Sequence, residues 1–368
     1  LLLYGIGPNS IFVGLLRFGN WVMEHFGYLV RRLFWLFVTV LILVTVLFIT
    51  LLTYRPAPSP KENTLLVEEK IEEWQPKNVL KALDDGSMSP AVKRGFLLVS
   101  ETSGQMGPQA KNPNNRFAGN NLSCTNCHLQ YGTQAGSGSW VGVVDRFPQF
   151  RGRENRIGDL QDRINGCMER SMNGRKLPKD SEEIRAIVAY MEWLGDDLPQ
   201  EKEKEYKGYP KIKIPEVKVD LTVGKAVYDK ECVVCHGADG QGIKKPDASK
   251  GYLYPPLWGP DSFNNGAGMH RVITSAEFIK SNMPFGLATY KNPKLTDEEA
   301  YHVAGYINSF DRPIKSNTEE DFPDKKLKPV STSYGPWMDN FSQEQHKYGP
   351  FPPIIAYYKE KYNIEKSK

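Results

Sequence analysis

The chain has 368 residues, 40% hydrophobic and 24% charged, which is apolar content enough for two or three packed domains and too much for wholesale disorder. Its formal net charge is only +4, half of it in the first 54 residues, so the rest is close to balanced. That balance excludes the nucleic-acid binders, which carry a larger or more clustered basic excess.

In chain order, residues 1–32 come first. Ile11, Leu15, Phe18, Val22, Phe26 and Leu29 recur at helical spacing with Arg17, Asn20, Glu24 and Arg31 opposite, the pattern of an amphipathic interfacial segment or of a docking helix for another membrane subunit. Residues 33–54 follow as a single transmembrane helix. Leu33 to Thr53 is 21 residues without a charge, and at ~1.5 Å per residue a helix of that length crosses the ~30 Å of a bilayer core. The run is too long for the core of a signal peptide, and no small-residue cleavage site follows it. Arginines precede it and Arg55 and Lys61 follow it, so flanking charge orients it only weakly. Residues 55–84, opening with RPAPSPKEN, form a polar, Pro-rich linker.

Five cysteines then carry the chemistry. Four lie in two CxxCH pentapeptides, CTNCH (124–128) and CVVCH (232–236), and Cys167 is left over. An odd count in this arrangement does not fit a disulfide framework; CxxCH is the attachment site of a c-type haem, with two thiols for thioether bonds and an adjacent imidazole for iron. The expected cofactors are therefore two covalently bound haem c groups, on Cys124, Cys127 and His128 and on Cys232, Cys235 and His236.

Each pentapeptide sits in the same order of events. A helical pattern at Pro90–Ser103 leads to the first, then Gly-rich loops, then a helix at Ser181–Leu194; Thr222–Glu231 leads to the second, then loops, then Thr296–Phe310. Ser181-Glu182-Glu183 and Thr296-Asp297-Glu298-Glu299 are helix starts with acids in the first turn. This order resembles the class I cytochrome c fold, whose first and last helices cross through a glycine and an aromatic residue; Gly95 with Tyr190 and Gly224 with Tyr306 fit those places. The fold class expected is mainly α, two tandem class I cytochrome c domains behind a single N-terminal transmembrane helix. The domains span 85–200 and 220–312, joined by a linker at 201–219 and followed by an extended C-terminal arm at 313–368.

For the second haem, NMPFG (282–286) places Met283 on a loop before the last helix, where class I cytochromes carry their methionine ligand; Met269 is the competitor. The first domain has no Met-Pro. Cys167 lies 39 residues after His128, where a distal ligand belongs, with Met168 and Met172 as alternatives and a plain buried thiol as another. Beside it stand Arg151, Arg153, Arg156, Arg163 and Arg170. A guanidinium keeps its charge and binds oxyanions with a planar fork, so such a cluster suits a pocket for anions, although haem propionates would take some of it.

With RINGCMERSMNG (163–174), FNNGAGMHRV (263–272), NMPFG and the tail YGPWMDNF…QHKYGPF (334–351), the chain resembles the thiosulfate dehydrogenase family, dihaem cytochromes c that interconvert thiosulfate and tetrathionate, over about residues 85–352. The resemblance implies iron ligation by His128 and Cys167 in a catalytic first haem and by His236 and Met283 in an electron-relay second haem. It implies that Arg153, Arg163 and Ser171 hold the oxyanion substrate beside Cys167. It also implies haem domains on the periplasmic side of the inner (cytoplasmic) membrane. The partners expected are thiosulfate or tetrathionate, an electron-acceptor cytochrome or membrane respiratory complex, and the lipid bilayer. Unlike the many soluble family members, this chain carries an anchor pattern, so a non-catalytic dihaem electron-transfer subunit of a respiratory complex is the alternative.

Overall fold

The computed structural model describes residues 9–53 and 73–368, with side chains from Phe26 onward in the first stretch. The first stretch is one continuous helix, α1 (Asn9–Thr53). It passes through Arg31 and Arg32 without a break, so the amphipathic pattern and the apolar run share one helix rather than two elements meeting at residue 32. Residues 1–8 of the expected interfacial segment and 54–72 of the expected linker lie outside the described residues. Within Phe26–Thr53 an 18-residue window reaches a mean hydropathy of 2.9, and the segment is long and apolar enough to cross a membrane.

Residues 73–368 form a second unit. It opens with α2 (Val79–Asp84), capped by Asn78, whose Val79 is buried in the first core. Next is α3 (Pro90–Ser100), which starts where Ser89 accepts from the Val92 amide and Pro90 fixes the first turn. The short α4 (Thr102–Met106) follows, then the first CxxCH on a tight turn. Strands β1 (Gln149–Arg151) and β2 (Arg156–Gly158) pair as an antiparallel hairpin, and α5 (Leu160–Arg170) begins at a reciprocal Asp159–Asp162 cap. α6 (Glu182–Gly195), capped by Ser181 with two glutamates in its first turn, closes the first domain.

The second domain repeats the plan. α7 (Leu221–Glu231), capped by Asp220, runs into α8 (Val233–His236), which carries the second CxxCH. A small hairpin of β3 (Ile243–Lys244) and β4 (Tyr252–Tyr254) precedes α9 (Val272–Asn282), and α10 (Asp297–Ile307) starts at the Thr296/Glu299 capping box. The tail, expected as an extended arm, is extended only at first and closes in α11 (Gln343–Tyr348) and α12 (Pro352–Tyr362). Phe351, Ile354 and Tyr358 fall at helical spacing and are buried in the second core, which is why those last residues coil.

Two helix crossings organise the cores. A Cβ placed on Gly95 would lie 2.0 Å from the carbonyl oxygen of Ala186 and 2.7 Å from Cβ of Tyr190, so α3 meets α6 at backbone distance. On Gly224 it would lie 2.3 Å from the carbonyl oxygen of His302 and 2.8 Å from Cβ of Tyr306, where α7 meets α10. Both glycine–tyrosine pairs are those the sequence suggested. Between the domains runs a polar seam: Asn120 Nδ2, which also bonds the Ser171 carbonyl of its own domain (2.9 Å), donates to the carbonyl of Ser262 (3.1 Å), and Asn282 Nδ2 to that of Gly136 (2.9 Å).

Candidate functional site: two adjoining haem-type cavities

The first cavity, about 560 Å³, is lined by Cys124, Cys127 and His128 on one side and by Cys167 and Ser171 of α5 on another. His128 Nδ1 lies 2.7 Å from the carbonyl of Gly138, which assigns a proton to Nδ1 and leaves Nε2 as the nitrogen that could ligate a metal. Across the cavity, Arg163 Nη1 donates to Cys167 Sγ at 2.8 Å, one helical turn away along α5. Burial pushes the Cys167 thiol up, but Arg163, His128 and Arg170 outweigh it and bring its pKa down to about 6. The other two thiols of the cavity have no such cation, and burial pushes Cys124 up to about 11 and Cys127 to about 12. Cys167 is thus set apart electrostatically from the two CxxCH thiols of the same chamber. Met168 and Met172 line the same chamber; among these sulfurs it is Cys167 that Arg163 contacts.

Of the five arginines, Arg151, Arg153, Arg163 and Arg170 face this cavity, whereas Arg156 lies outside it, paired with Asp162 at 2.9 Å on the surface. Arg153 sits in the turn of the β1–β2 hairpin. Its Nη1 donates to Asp321 Oδ2 (2.5 Å) and to the Tyr334 hydroxyl (2.8 Å), and its carbonyl accepts from the Phe322 amide. The arm thus holds Arg153 from behind, and burial of Asp321 is outweighed by Arg153, which keeps that carboxyl below its usual range. Ser171 ends α5, its carbonyl held by Asn120.

The second cavity, about 380 Å³ and mostly apolar, is lined by Cys232, Cys235, His236, Met269 and Met283. His236 Nδ1 lies 2.9 Å from the Pro255 carbonyl, and burial lowers its pKa, which favours the neutral imidazole that ligates iron. Met283 follows α9 directly, its amide on the Ile279 carbonyl. Leu122, Cys127, Phe263 and Met269 line both cavities, so the two chambers adjoin.

Each chamber therefore offers a thiol pair, an oriented imidazole and a distal sulfur. Arg146, eight residues past Gly138, adds a buried Nη1 with no partner to the first, a donor suited to a haem carboxylate. The residues present fit haem c.

The SoxA/TsdA cytochrome c domain family matches residues 113–199, and the cytochrome c family matches 221–311. A thiosulfate dehydrogenase of Allochromatium vinosum is 42% identical over 63% of this chain and 82% of its own length; one of Psychrobacter arcticus is 40% identical over 66% and 69%. The chain belongs to the thiosulfate dehydrogenase family. Its cytochrome c domains imply covalently bound haem c, and its curated relatives make the family one of oxidoreductases. A thiosulfate dehydrogenase of Stutzerimonas stutzeri is 44% identical over 54% of this chain, and the match spans 62% of that protein, less than two thirds. The solved thiosulfate dehydrogenase TsdBA of Marichromatium purpuratum superposes with a TM-score of 0.55 at 33% identity, over 62% of this chain and 48% of that one.

Residues that sequence reasoning did not single out also face the first cavity: Arg146, Tyr209, Arg271 and Thr274. Arg271 lay within the family-like string FNNGAGMHRV, but nothing local showed that a residue of the second domain reaches the first domain's chamber. His346 lies between the Val330 carbonyl (2.7 Å) and Asp339 (2.9 Å) and stacks on Trp337, a structural setting within the arm. His270 and His302 are likewise held by backbone groups, of Asn265 and Asp220.

Proposed function

We propose that this chain is a membrane-anchored cytochrome with two haem c groups that couples two thiosulfate ions into tetrathionate, or runs the reverse reaction, and exchanges the electrons with a respiratory partner. The observation that carries the reading is the Arg163–Cys167 contact beside His128 in a chamber walled by arginines.

The obstacle to coupling is electrostatic. Two dianions ~5 Å apart repel by roughly 13 kcal/mol at an effective dielectric of ~20. Arg153 and Arg163, with the Ser171 hydroxyl, hold the substrate oxyanions and offset that charge before reaction, a preorganised role. His128 and Cys167 are the iron ligands of the catalytic site, and Arg163 keeps the Cys167 sulfur anionic. His236 and Met283 ligate in the relay site, and the adjoining walls around Phe263 and Met269 keep the two centres close. Bound haem c supplies one-electron acceptors at both sites. α1 anchors the unit through Phe26–Thr53, with the haem domains on the periplasmic side of the inner membrane.

The test is anaerobic addition of thiosulfate to the oxidised holoprotein while haem absorbance is followed. Prompt reduction with tetrathionate formed is the expected result. No reduction, in protein whose haems still accept electrons from dithionite, overturns the activity and leaves an electron-transfer subunit.

A further inference from the structure

Arg271 is the residue before α9, on the second domain, and it faces the first domain's cavity. Its Nε is buried without a hydrogen-bond partner, and its guanidinium forms no ion pair among the described residues. One turn on, Thr274 is 4% exposed, lines the same cavity, and has a buried Oγ1 with no partner, although a helical threonine ordinarily bonds a carbonyl one turn back. α9 also starts without a side-chain cap, so its first amides are open. A buried guanidinium nitrogen without an acceptor is costly, and an oxyanion would supply that acceptor.

We propose that Arg271, Thr274 and the amino end of α9 form a second oxyanion seat, taking the sulfonate group of the second thiosulfate. This rests on the reaction proposed above: two S2O3²⁻ form one bond between their terminal sulfurs, yielding S4O6²⁻, and two electrons pass to oxidised haem c. That reaction brings four negative charges into the chamber. Arg163 is already engaged by Cys167 and Arg153 by Asp321, so the first seat is partly neutralised before substrate enters. Arg271 holds no such partner among the described residues. Arg153 and Arg170 line the same chamber as Arg271. The seat stands on the second domain and faces the first domain's chamber, so that chamber is complete only when the second domain is docked on the first.

The experiment uses the full holoprotein and the substitutions Arg271→Gln, Arg271→Lys and Thr274→Val. Thiosulfate KM and kcat are measured with ferricyanide as acceptor, sulfate stoichiometry by calorimetry on the oxidised protein, and haem midpoint potentials by titration. Loss of a charge-assisted hydrogen bond predicts a KM about 10- to 100-fold higher for Arg271→Gln, with partial rescue by Lys. The same variant should bind one sulfate fewer, with both midpoints unchanged. Thr274→Val, which adds no charge and keeps the side-chain volume, should raise KM about 3- to 10-fold and carries the test if Arg271→Gln does not fold. Unchanged KM and sulfate stoichiometry overturn the seat. A shifted midpoint at unchanged KM also overturns it, since the anion there is then a haem carboxylate. If wild-type protein fails to oxidise thiosulfate but Arg271→Gln still loses one sulfate, the activity falls and the oxyanion seat stands.

Discussion

Replacing Asp321 by alanine tests how the C-terminal arm supports the wall of the first cavity. The side chains of Arg153 and Asp321 are only 12% and 9% exposed, so their charges are poorly screened. Removing one partner of a buried pair costs about 3–5 kcal/mol, because the other charge is left uncompensated. The Tyr334 hydroxyl stays 2.8 Å from Arg153 Nη1 and softens the loss, while Lys315, 3.6 Å from Asp321, loses its counter-charge too. The lower end, about 3 kcal/mol, is the expectation at neutral pH. Asp321→Asn keeps an acceptor for Arg153 and should cost about 1 kcal/mol. The sign of the pH dependence follows from the lowered folded-state pKa of Asp321. Its contribution is fully present above the unfolded carboxyl value of about 3.9 and is lost as pH falls through the folded value. Guanidinium unfolding of the holoprotein should therefore show a gap between wild type and Asp321→Ala that is wide near neutrality and narrows in acid. A gap under about 1 kcal/mol at neutral pH, or one that does not narrow, would refute the reasoning.

Further outcomes are expected elsewhere. Gly95→Ala puts a methyl 2.0 Å from the Ala186 carbonyl oxygen and should cost about 3 kcal/mol, perturbing first the haem held by His128; Gly224→Ala should do the same for the haem held by His236, and spectra that resolve the two haems distinguish them. Cys167→Met should leave both haems attached, remove the low-spin ferric thiolate signal in electron paramagnetic resonance, and abolish or sharply lower thiosulfate turnover. Retained turnover would remove the thiolate from the mechanism. Asn282→Ala deletes a fully buried amide that bonds Gln134, Gly136 and Phe278, should lower stability by about 2–3 kcal/mol, and should shift the midpoint of the adjacent Met283 site, read by redox titration.

Much of this protein is legible without coordinates because its signals are local. A CxxCH needs no partner to be recognised, a 21-residue apolar run needs none to be a membrane-span candidate, and Ser181 and Thr296 announce their helices through caps made within four residues. The glycine–tyrosine crossings were readable because only glycine lets two helix backbones approach so closely. Periodicity also existed in the tail at Phe351, Ile354 and Tyr358, but prolines and a short span hid it. What the tertiary structure alone decided is which charges meet. Asp321 reaches Arg153 across 168 residues, and Arg271 enters the other domain's chamber, joining Arg170 after a separation of 101 positions. Long-range ion pairing and cavity sharing leave no periodic trace in a sequence, since they depend on how whole domains dock. Residue types and spacing determined the two cytochrome c domains; the docking of domain on domain and arm on hairpin determined which charged groups line the first cavity.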